Sequence, residues 1–199
     1  MLLGHEREAM LDVIKRRKIT ELCHFTRVSN LESIMKHGLY SRKYLESGNV
    51  LSAEYSDEMR LDGYINAISL SVSFPNYKMF YSKRNENLYV TWCVLLIDPE
   101  VLIDCRCKFS WMNAASSEMR YYIEHSDGSS RDFERLFQDY GKYKRDDIWK
   151  RMPDNYTTNP QAEVLVFDHI DCKYIQDVQY NGYFFRYRED YEYWKQISE

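Results

Sequence analysis

The sequence predicts an α+β fold, because segments with helical periodicity and segments with strand periodicity follow one another along the chain. Between residues 6 and 18, apolar side chains recur at helical spacing. Residues 67–74 alternate apolar side chains with serine, which is typical of a half-buried strand. Residues 88–97 are almost continuously apolar and predict a central strand. The 199 residues, 44% of them hydrophobic, suit a single domain over residues 1–199.

A strand and a second helix are predicted after the first helix. Residues 22–25 form the strand, and residues 31–36 form the helix. Ser29 or Asn30 caps the start of this helix and Gly38 ends it. Because backbone N–H groups are free at a helix start, the junction between strand and helix favours a bound phosphate.

Residues that break strands delimit the later elements. A Pro-Asn pair at 75–76 ends the serine-rich strand, and a helix or turn begins over residues 78–81. An Asp-Pro pair at 98–99 ends the apolar strand, and residues 101–103 either extend it or pair beside it. The remaining predicted elements are a helix over 131–140, a strand over 164–167, and a strand pair over 175–180 and 183–187 around an Asn-Gly turn.

Charge and cysteine content argue against several classes of protein. The net charge of -4 argues against strong indiscriminate binding to polyanions, although a local basic groove is enough for nucleic acid. The five cysteines are scattered, and Cys105-x-Cys107 lacks a second pair at zinc-site spacing, so we expect no disulfide framework and no metal. Residues 1–18 are charged throughout, unlike a signal peptide, and no apolar run reaches the ~20 residues of a membrane span. We expect a cytoplasmic protein without membrane contact.

The strongest functional signal is the pair Gln161 and Glu163. Glu163 precedes the apolar strand over residues 164–167, which would hold its carboxylate rigidly. Because side chains alternate along a strand, Gln161 points to the same side. A carboxylate in such a place can stabilise positive charge at a ribose C1′ and accept a proton from a nucleophile. The alternative interpretation is a solvated strand end.

Four short motifs together resemble the DarT family, the nucleic-acid ADP-ribosyltransferases of bacterial toxin–antitoxin systems. They are His24-Phe25-Thr26 with Asn30-Leu31, Gly38-Leu39, Arg60 ahead of the serine-rich strand, and Gln161-Ala162-Glu163. The resemblance extends over residues 19–187. It implies a compact ADP-ribosyltransferase fold, in which two small, mostly antiparallel sheets flanked by helices form a cleft for NAD.

The resemblance also implies roles for individual residues. Glu163 and Arg60 would be catalytic, and His24 and Thr26 would hold the nicotinamide-bearing half of NAD, which is a co-substrate. Arg42 is a weaker substitute for Arg60 as the cation that orients phosphate. The other expected NAD contacts are motif residues, one serine and the aromatic rings after the serine-rich strand: Asn30, Gly38, Leu39, Ser71, Phe74, Tyr77, Phe80 and Gln161.

Structural interpretations of these residues remain open. His24 alone is more often a structural histidine. Arg60 has acidic neighbours and would then form a surface ion pair of little energetic value. Ser69, Ser71 and Ser73 share one face and would be the solvent side of an edge strand. Tyr77 and Phe80 would belong to the core or to a cleft wall.

Cations and aromatic rings alternate in the stretch that leads to Glu163, and this pattern suits a groove for a single strand. The proposed acceptor contacts are Tyr143, Lys144, Arg145, Arg151 and Tyr156. Carboxylates lie in the same stretch, so a solvated charged helix is the alternative. A base in a duplex hides its reactive atoms, which favours a single-stranded acceptor.

The sequence therefore predicts a mono-ADP-ribosyltransferase that uses NAD to modify a base in single-stranded DNA. As the resemblance implies, it would act as a toxin of a toxin–antitoxin or antiphage system, with an antitoxin protein as partner. The same chemistry on RNA is the nearest alternative. The others are a nucleic-acid-binding module without catalysis and a metal-dependent nuclease built on Asp98, Asp104 or the acidic cluster.

Overall fold

The computed structural model describes residues 2–47, 54, 62–141 and 153–180. In chain order its strands are β1 (Leu22–Arg27), β2 (Leu39–Tyr40), β3 (Ala67–Val72), β4 (Trp92–Ile97), β5 (Cys107–Ser110), β6 (Glu163–Phe167), β7 (His169–Ile170) and β8 (Ile175–Gln179). Its α-helices are α1 (Gly4–Arg16), α2 (Leu31–His37), α3 (Arg42–Glu46), α4 (Tyr77–Glu86), α5 (Val101–Asp104), α6 (Ser117–His125) and α7 (Ser130–Glu134). This mixture of helices and strands confirms the predicted α+β class.

The described strands form a six-stranded sheet in the order β5-β6-β3-β1-β4-β8 and a two-stranded sheet of β2 and β7. All of these pairings are antiparallel. β1 pairs with β4 over six residues, but with β3 only at Leu22↔Val72 and Cys23↔Ser71. The large sheet therefore consists of two three-stranded halves that separate beyond Cys23. The two expected sheets are thus joined by one short pairing, and a cleft opens where they part.

The two faces of the large sheet carry different helices. On one face, buried residues of α1, α5 and α7 form the main core with alternate strand residues; Met10, Leu95 and Phe133 are each 0% exposed. On the other face, α4 buries Phe80 against β1 and β4. On that same face, α6 buries Met119 against β3 and β6.

Most of the predicted elements are confirmed, with bounds that differ by a few residues. The first helix, the strand over 22–25, the helix over 31–36, the serine-rich strand, the apolar strand and the strand after Glu163 correspond to α1, β1, α2, β3, β4 and β6. The helix predicted over 131–140 is shorter, because α7 continues as a 3₁₀ turn that ends at Phe137.

Two predictions about local structure were wrong. Residues 101–103 form α5 instead of a strand, because this short helix buries all three side chains in the core. The serine side of β3 is not a solvent side, since Ser71 is 8% and Ser73 is 0% exposed. β8 pairs with β4, and the strand predicted over 183–187 lies outside the described residues.

Candidate active site

A cavity of about 530 Å³ lies where the two halves of the large sheet separate. Residues of β1, α2, β2 and α4, which packs on β1 and β4, line one side, and residues of β3 and the segments around Asn113 and Glu163 line the other. The volume is typical of a small-molecule site. Of the predicted site residues that the structure describes, these line the cavity: His24, Thr26, Asn30, Gly38, Leu39, Ser71, Gln161 and Glu163.

Two donors from different segments hold the carboxylate of Glu163. The Ser69 hydroxyl donates to Glu163 Oε2 at 2.5 Å. The backbone N–H of Ala114 donates to Glu163 Oε1 at 3.1 Å. Glu163 begins β6 opposite Ser110 of β5, so the sheet fixes its backbone while the two donors orient its side chain. Such an arrangement places negative charge at a defined point of the cavity.

Ser69 is the functional contact that sequence analysis did not single out, since Ser71 was the serine favoured. Ser69 lies opposite Leu165 in the pairing of β3 with β6, one diagonal step from Glu163. The Ser71 hydroxyl instead accepts from the backbone N–H of Asn76, at 2.9 Å, and so fixes the turn before α4. Diagonal neighbours on one face of a sheet are within reach, which is how Ser69 contacts Glu163.

His24 bridges the gap between the separating strands. Its Nδ1 atom lies 2.9 Å from the carbonyl oxygen of Ser69, across the cavity edge from β1 to β3. A carbonyl only accepts, so Nδ1 carries a hydrogen. The histidine thus has a structural contact and a place in the cavity wall at once.

Asn30 does not cap α2 through its side chain. Its Nδ2 atom donates to Thr26 Oγ1 at 3.1 Å and to the carbonyl of Glu54 at 2.8 Å. The N–H of Glu54 donates back to Asn30 Oδ1 at 2.8 Å. Asn30 is therefore at the predicted N-cap position, but its amide bonds to the backbone of residue 54 and not to the start of the helix.

Gly38 and Gln161 each lie in a backbone turn that lines the cavity. Gly38 ends α2 with φ +85°, as predicted for a terminating glycine. Leu39 then pairs with Ile170 in the small sheet. Gln161 lies in the turn before β6, where its N–H donates to Asn159 Oδ1 at 3.0 Å. Ala162 between them is 1% exposed, so Gln161 and Glu163 both reach the cavity.

The aromatic rings expected around NAD are not in the cavity wall. Phe74, Tyr77 and Phe80 are 8%, 6% and 2% exposed, and none is among the described residues that line the cavity. The register of α4 turns Phe80 towards β1, where it stacks on Phe25 with 4.6 Å between ring centroids. Phe25 itself lines the cavity, so the ring there comes from β1.

Several predicted residues lie outside the described part of the chain: Arg60, Tyr143, Lys144, Arg145 and Arg151. Tyr156 is described but only 4% exposed, and its ring packs on Phe74 with 5.6 Å between centroids. The ring of Tyr156 is thus buried in this structure, and its expected role in acceptor binding stays a prediction. Arg42 does line the cavity, and its guanidinium is paired with Glu46 at 2.6 Å.

Within residues 2–47, 54, 62–141 and 153–180, no group of three or more His, Cys, Asp or Glu side chains is arranged to hold a metal ion. Burial raises the pKa of Cys105 and of Cys107, so both thiols stay protonated at neutral pH. In the same described part of the chain, no helix is long and apolar enough to cross a membrane.

The sequence model of one protein family, described as "ssDNA thymidine ADP-ribosyltransferase, DarT", matches residues 23–181 of the chain. No curated protein sequence matches the chain significantly.

Solved structures show the same likeness. Thermus sp. 2.9 DarT in complex with ADP-ribosylated ssDNA is 15% identical and has a TM-score of 0.50, over 91% of this chain and 90% of that chain. The same protein in complex with NAD+ has a TM-score of 0.45 at 16% identity, over 92% and 91% of the two chains. Thermosipho africanus DarTG in complex with ADP-ribose is 18% identical with a TM-score of 0.48, over 80% of this chain. That match spans only 43% of the Thermosipho protein. The first of these matches shows a shared fold.

Proposed function

The chain belongs to the DarT family of ADP-ribosyltransferases, and we propose that it transfers ADP-ribose from NAD to a base in single-stranded DNA. Thymidine, the nucleoside named in the family description, is the proposed target. The observation that carries the proposal is the carboxylate of Glu163, held by Ser69 and Ala114 inside the cavity of the divided sheet.

The cavity fits NAD in size and in chemistry. Its volume of about 530 Å³ accommodates a dinucleotide, and its walls combine apolar side chains with a few fixed polar groups. We propose that His24 and Thr26 hold the half of NAD that carries nicotinamide. Gly38 and Leu39 would bound the same side, and Gln161 would contact a ribose hydroxyl near Glu163.

Glu163 would act twice in the reaction. As the bond between C1′ and the nicotinamide nitrogen breaks, positive charge develops on the ribose, and the nearby carboxylate stabilises it. Nicotinamide leaves with the electron pair of that bond. The base then forms a new bond to C1′, and the proton it loses passes to Glu163 as general base. A neutral amide at this position cannot perform either task.

The acceptor is proposed to be single-stranded because the reacting atom must reach Glu163 in a cavity. A base stacked in a duplex would first have to be extruded, at a cost of a few kcal/mol. The hypotheses of a binding module without catalysis and of a metal-dependent nuclease gain no support from the family match, which describes a transferase.

We also propose that the protein acts as a toxin that an antitoxin protein restrains, in a toxin–antitoxin or antiphage system. Bases that carry ADP-ribose block pairing during replication, so a cell that makes this enzyme needs a means of restraint. Expression of the wild-type chain in a bacterial host should arrest growth, and expression of Glu163→Gln should not. Equal growth with both chains, at equal protein levels, would refute a toxic activity.

The acceptor class is tested with labelled NAD and four acceptors in parallel: single-stranded DNA, duplex DNA, RNA and bulk protein. Label should appear on single-stranded DNA alone and disappear with Glu163→Ala. Glu32→Ala is the matched control, because Glu32 is an exposed carboxylate of α2 outside the cavity. Label on RNA or protein instead would refute the proposed acceptor, and no label anywhere would refute the transfer.

A further inference from the structure

One side of α4 forms a wall of the cavity. The α4 residues in this wall recur at positions i, i+1, i+4, i+5 and i+8: Lys78, Met79, Ser82, Lys83 and Glu86. This spacing is that of one helix face. The opposite face of α4 buries Phe80 against β1 and β4, so the helix cannot turn its cavity face away.

This wall carries positive charge in an acidic protein. Its charged residues are Lys78, Lys83 and Glu86, so the net charge of the wall is 2 − 1 = +1, whereas the whole chain carries -4. Lys83 pairs with Glu86 at 3.1 Å. Among the residues that the structure describes, no carboxylate pairs with Lys78.

The side of the cavity that carries Glu163 has no such cations. Its lining residues, from β3 and from the segments around Asn113 and Glu163, are Ala67, Ile68, Ser69, Ser71, Asn113, Ala115, Gln161 and Glu163. A base that reacts beside Glu163 therefore has a polar, partly negative wall on one side and α4 on the other. Its phosphate groups gain most from the α4 side.

Exposed aromatic rings continue this surface away from the cavity. Tyr81, on the solvent side of α4, is 50% exposed, and the Arg84 guanidinium lies 6.0 Å from the centre of its ring. Tyr89, shortly after the helix, is 99% exposed. Cations beside exposed rings are the elements of a single-strand groove, in which phosphates pair with ammonium groups and bases stack on rings.

We propose that α4 is the docking surface for the backbone of the single-stranded DNA acceptor. Lys78 and Lys83 contact phosphates on either side of the reacting nucleotide, and Tyr81 stacks a neighbouring base. A polymer needs a surface that leads out of the cavity, and α4 provides one, whereas the enclosed side at Gly38 and Leu39 suits NAD. This inference rests on the proposed function and adds the path of the acceptor.

The test is the double variant Lys78→Gln with Lys83→Gln. Anisotropy of a fluorescent single-stranded oligonucleotide, measured over a range of salt concentrations, gives affinity without requiring transfer. Loss of two phosphate contacts should reduce the slope of log affinity against log salt by about 1.4, since each single-strand contact contributes about 0.7. The KM for the oligonucleotide should rise about tenfold or more, and the KM for NAD should stay unchanged.

The control is Lys15→Gln with Lys36→Gln, which removes the same charge from exposed positions outside the cavity. Its slope and both KM values should equal those of the wild-type protein. Equal losses of oligonucleotide affinity in the two double variants would show that the effect comes from net charge alone, and this would overturn the proposal. A rise in the KM for NAD alone would assign the lysines to the pyrophosphate and also overturn it.

A second variant tests the stacking ring independently of charge. Tyr81→Ala should weaken oligonucleotide binding about 5- to 100-fold, the range for loss of one stacked base. Tyr121→Ala removes a ring that is 67% exposed on α6, outside the cavity, and should bind as the wild type does. Unchanged binding of the Tyr81 variant would overturn this contact. A wild-type protein that binds through α4 but transfers nothing would refute the proposed function and leave the surface standing.

Discussion

At the scale of single residues, the candidate site depends on one carboxylate with a fixed direction. Glu163 receives hydrogen bonds from the hydroxyl of Ser69 and from the N–H of Ala114. Ser69 also offers its carbonyl to His24 of the other half of the sheet. Ser69 therefore contacts the proposed catalytic group through its hydroxyl and the proposed NAD contact through its backbone carbonyl, so a change of its side chain removes only the bond to Glu163.

We predict that Ser69→Ala lowers kcat about 10- to 100-fold with little effect on the KM for NAD. The variant loses a hydrogen bond to a charged group, worth about 1.5–3 kcal/mol, and each 1.4 kcal/mol is tenfold in rate. Steady-state transfer to a single-stranded oligonucleotide measures this change. Ser117→Ala, at an exposed position of α6, is the control. A wild-type kcat for Ser69→Ala would contradict the positioning role.

Some of the residues that short motifs predicted for the site line the cavity, and others do not. His24, Thr26, Gln161 and Glu163 reach the cavity because each stands in or beside a strand whose direction the local sequence determines. The aromatic rings after β3 do not reach the cavity. The packing of α4 on β1 and β4 fixes the rotation of this helix about its axis, and no local pattern predicts that rotation. Phe25 lines the cavity instead, and nothing in the sequence apart from its position in the His24 motif predicted this.

At the scale of elements, the turn after α2 shapes the cavity. Gly38 has φ +85° and ψ -176°, a conformation that is essentially restricted to glycine. A Cβ atom there would overlap the carbonyl oxygen of Ile170 in β7. The glycine therefore lets α2 end directly against the small sheet, which sets the position of Leu39 in the cavity wall.

We predict that Gly38→Ala lowers the free energy of unfolding by more than the ~1–3 kcal/mol of backbone strain alone, because it adds an overlap with backbone. Gly63→Ala is the matched control: Gly63 has φ +78°, and its Cβ would meet no atom within 4 Å. Urea unfolding of both variants measures the difference. Equal losses of stability would show that the close contact with Ile170 has no effect.

A charged cluster ties α1 to α7. Arg16 Nη2 donates to Glu134 Oε2 at 2.9 Å, and Arg17 Nε donates to Glu134 Oε1 at 3.1 Å. Burial alone would raise the pKa of Glu134, but the hydrogen bonds from Arg17 and Arg16 outweigh it, so the pKa is lowered. The stabilisation is therefore complete above the ordinary glutamate pKa of about 4.3 and is lost as pH falls through the lower pKa of the folded state.

We predict that Glu134→Gln lowers the free energy of unfolding by about 1.5–3 kcal/mol at pH 7, through weaker bonds to the arginines. The difference from the wild type should shrink as pH falls below about 4, where the wild-type carboxylate is itself protonated. Urea titrations at several pH values measure it. Glu8→Gln, at an exposed position of α1, should show no difference at any pH. A difference that persists unchanged at low pH would contradict the assignment.

At the scale of the whole molecule, the cleft follows from a pairing that no local pattern reveals. Sequence periodicity identified β1, β3, β4 and β6 as strands, because each has a clear apolar pattern. That β1 and β3 pair over only two residues depends on long-range packing of α4 on one half of the sheet and α6 on the other. The resemblance to a family predicted the cleft, but only the structure shows which residues line it.

The central claim is that Glu163 transfers ADP-ribose to single-stranded DNA, and one measurement tests it most directly. A single-stranded oligonucleotide is incubated with NAD and either the wild-type protein or Glu163→Gln, and its mass is then determined. The wild type should add one ADP-ribose unit to a thymidine, while Glu163→Gln should bind NAD with unchanged affinity and reduce transfer by about 100-fold or more. Equal modification by both proteins, or an unmodified oligonucleotide with the wild type, would contradict the account.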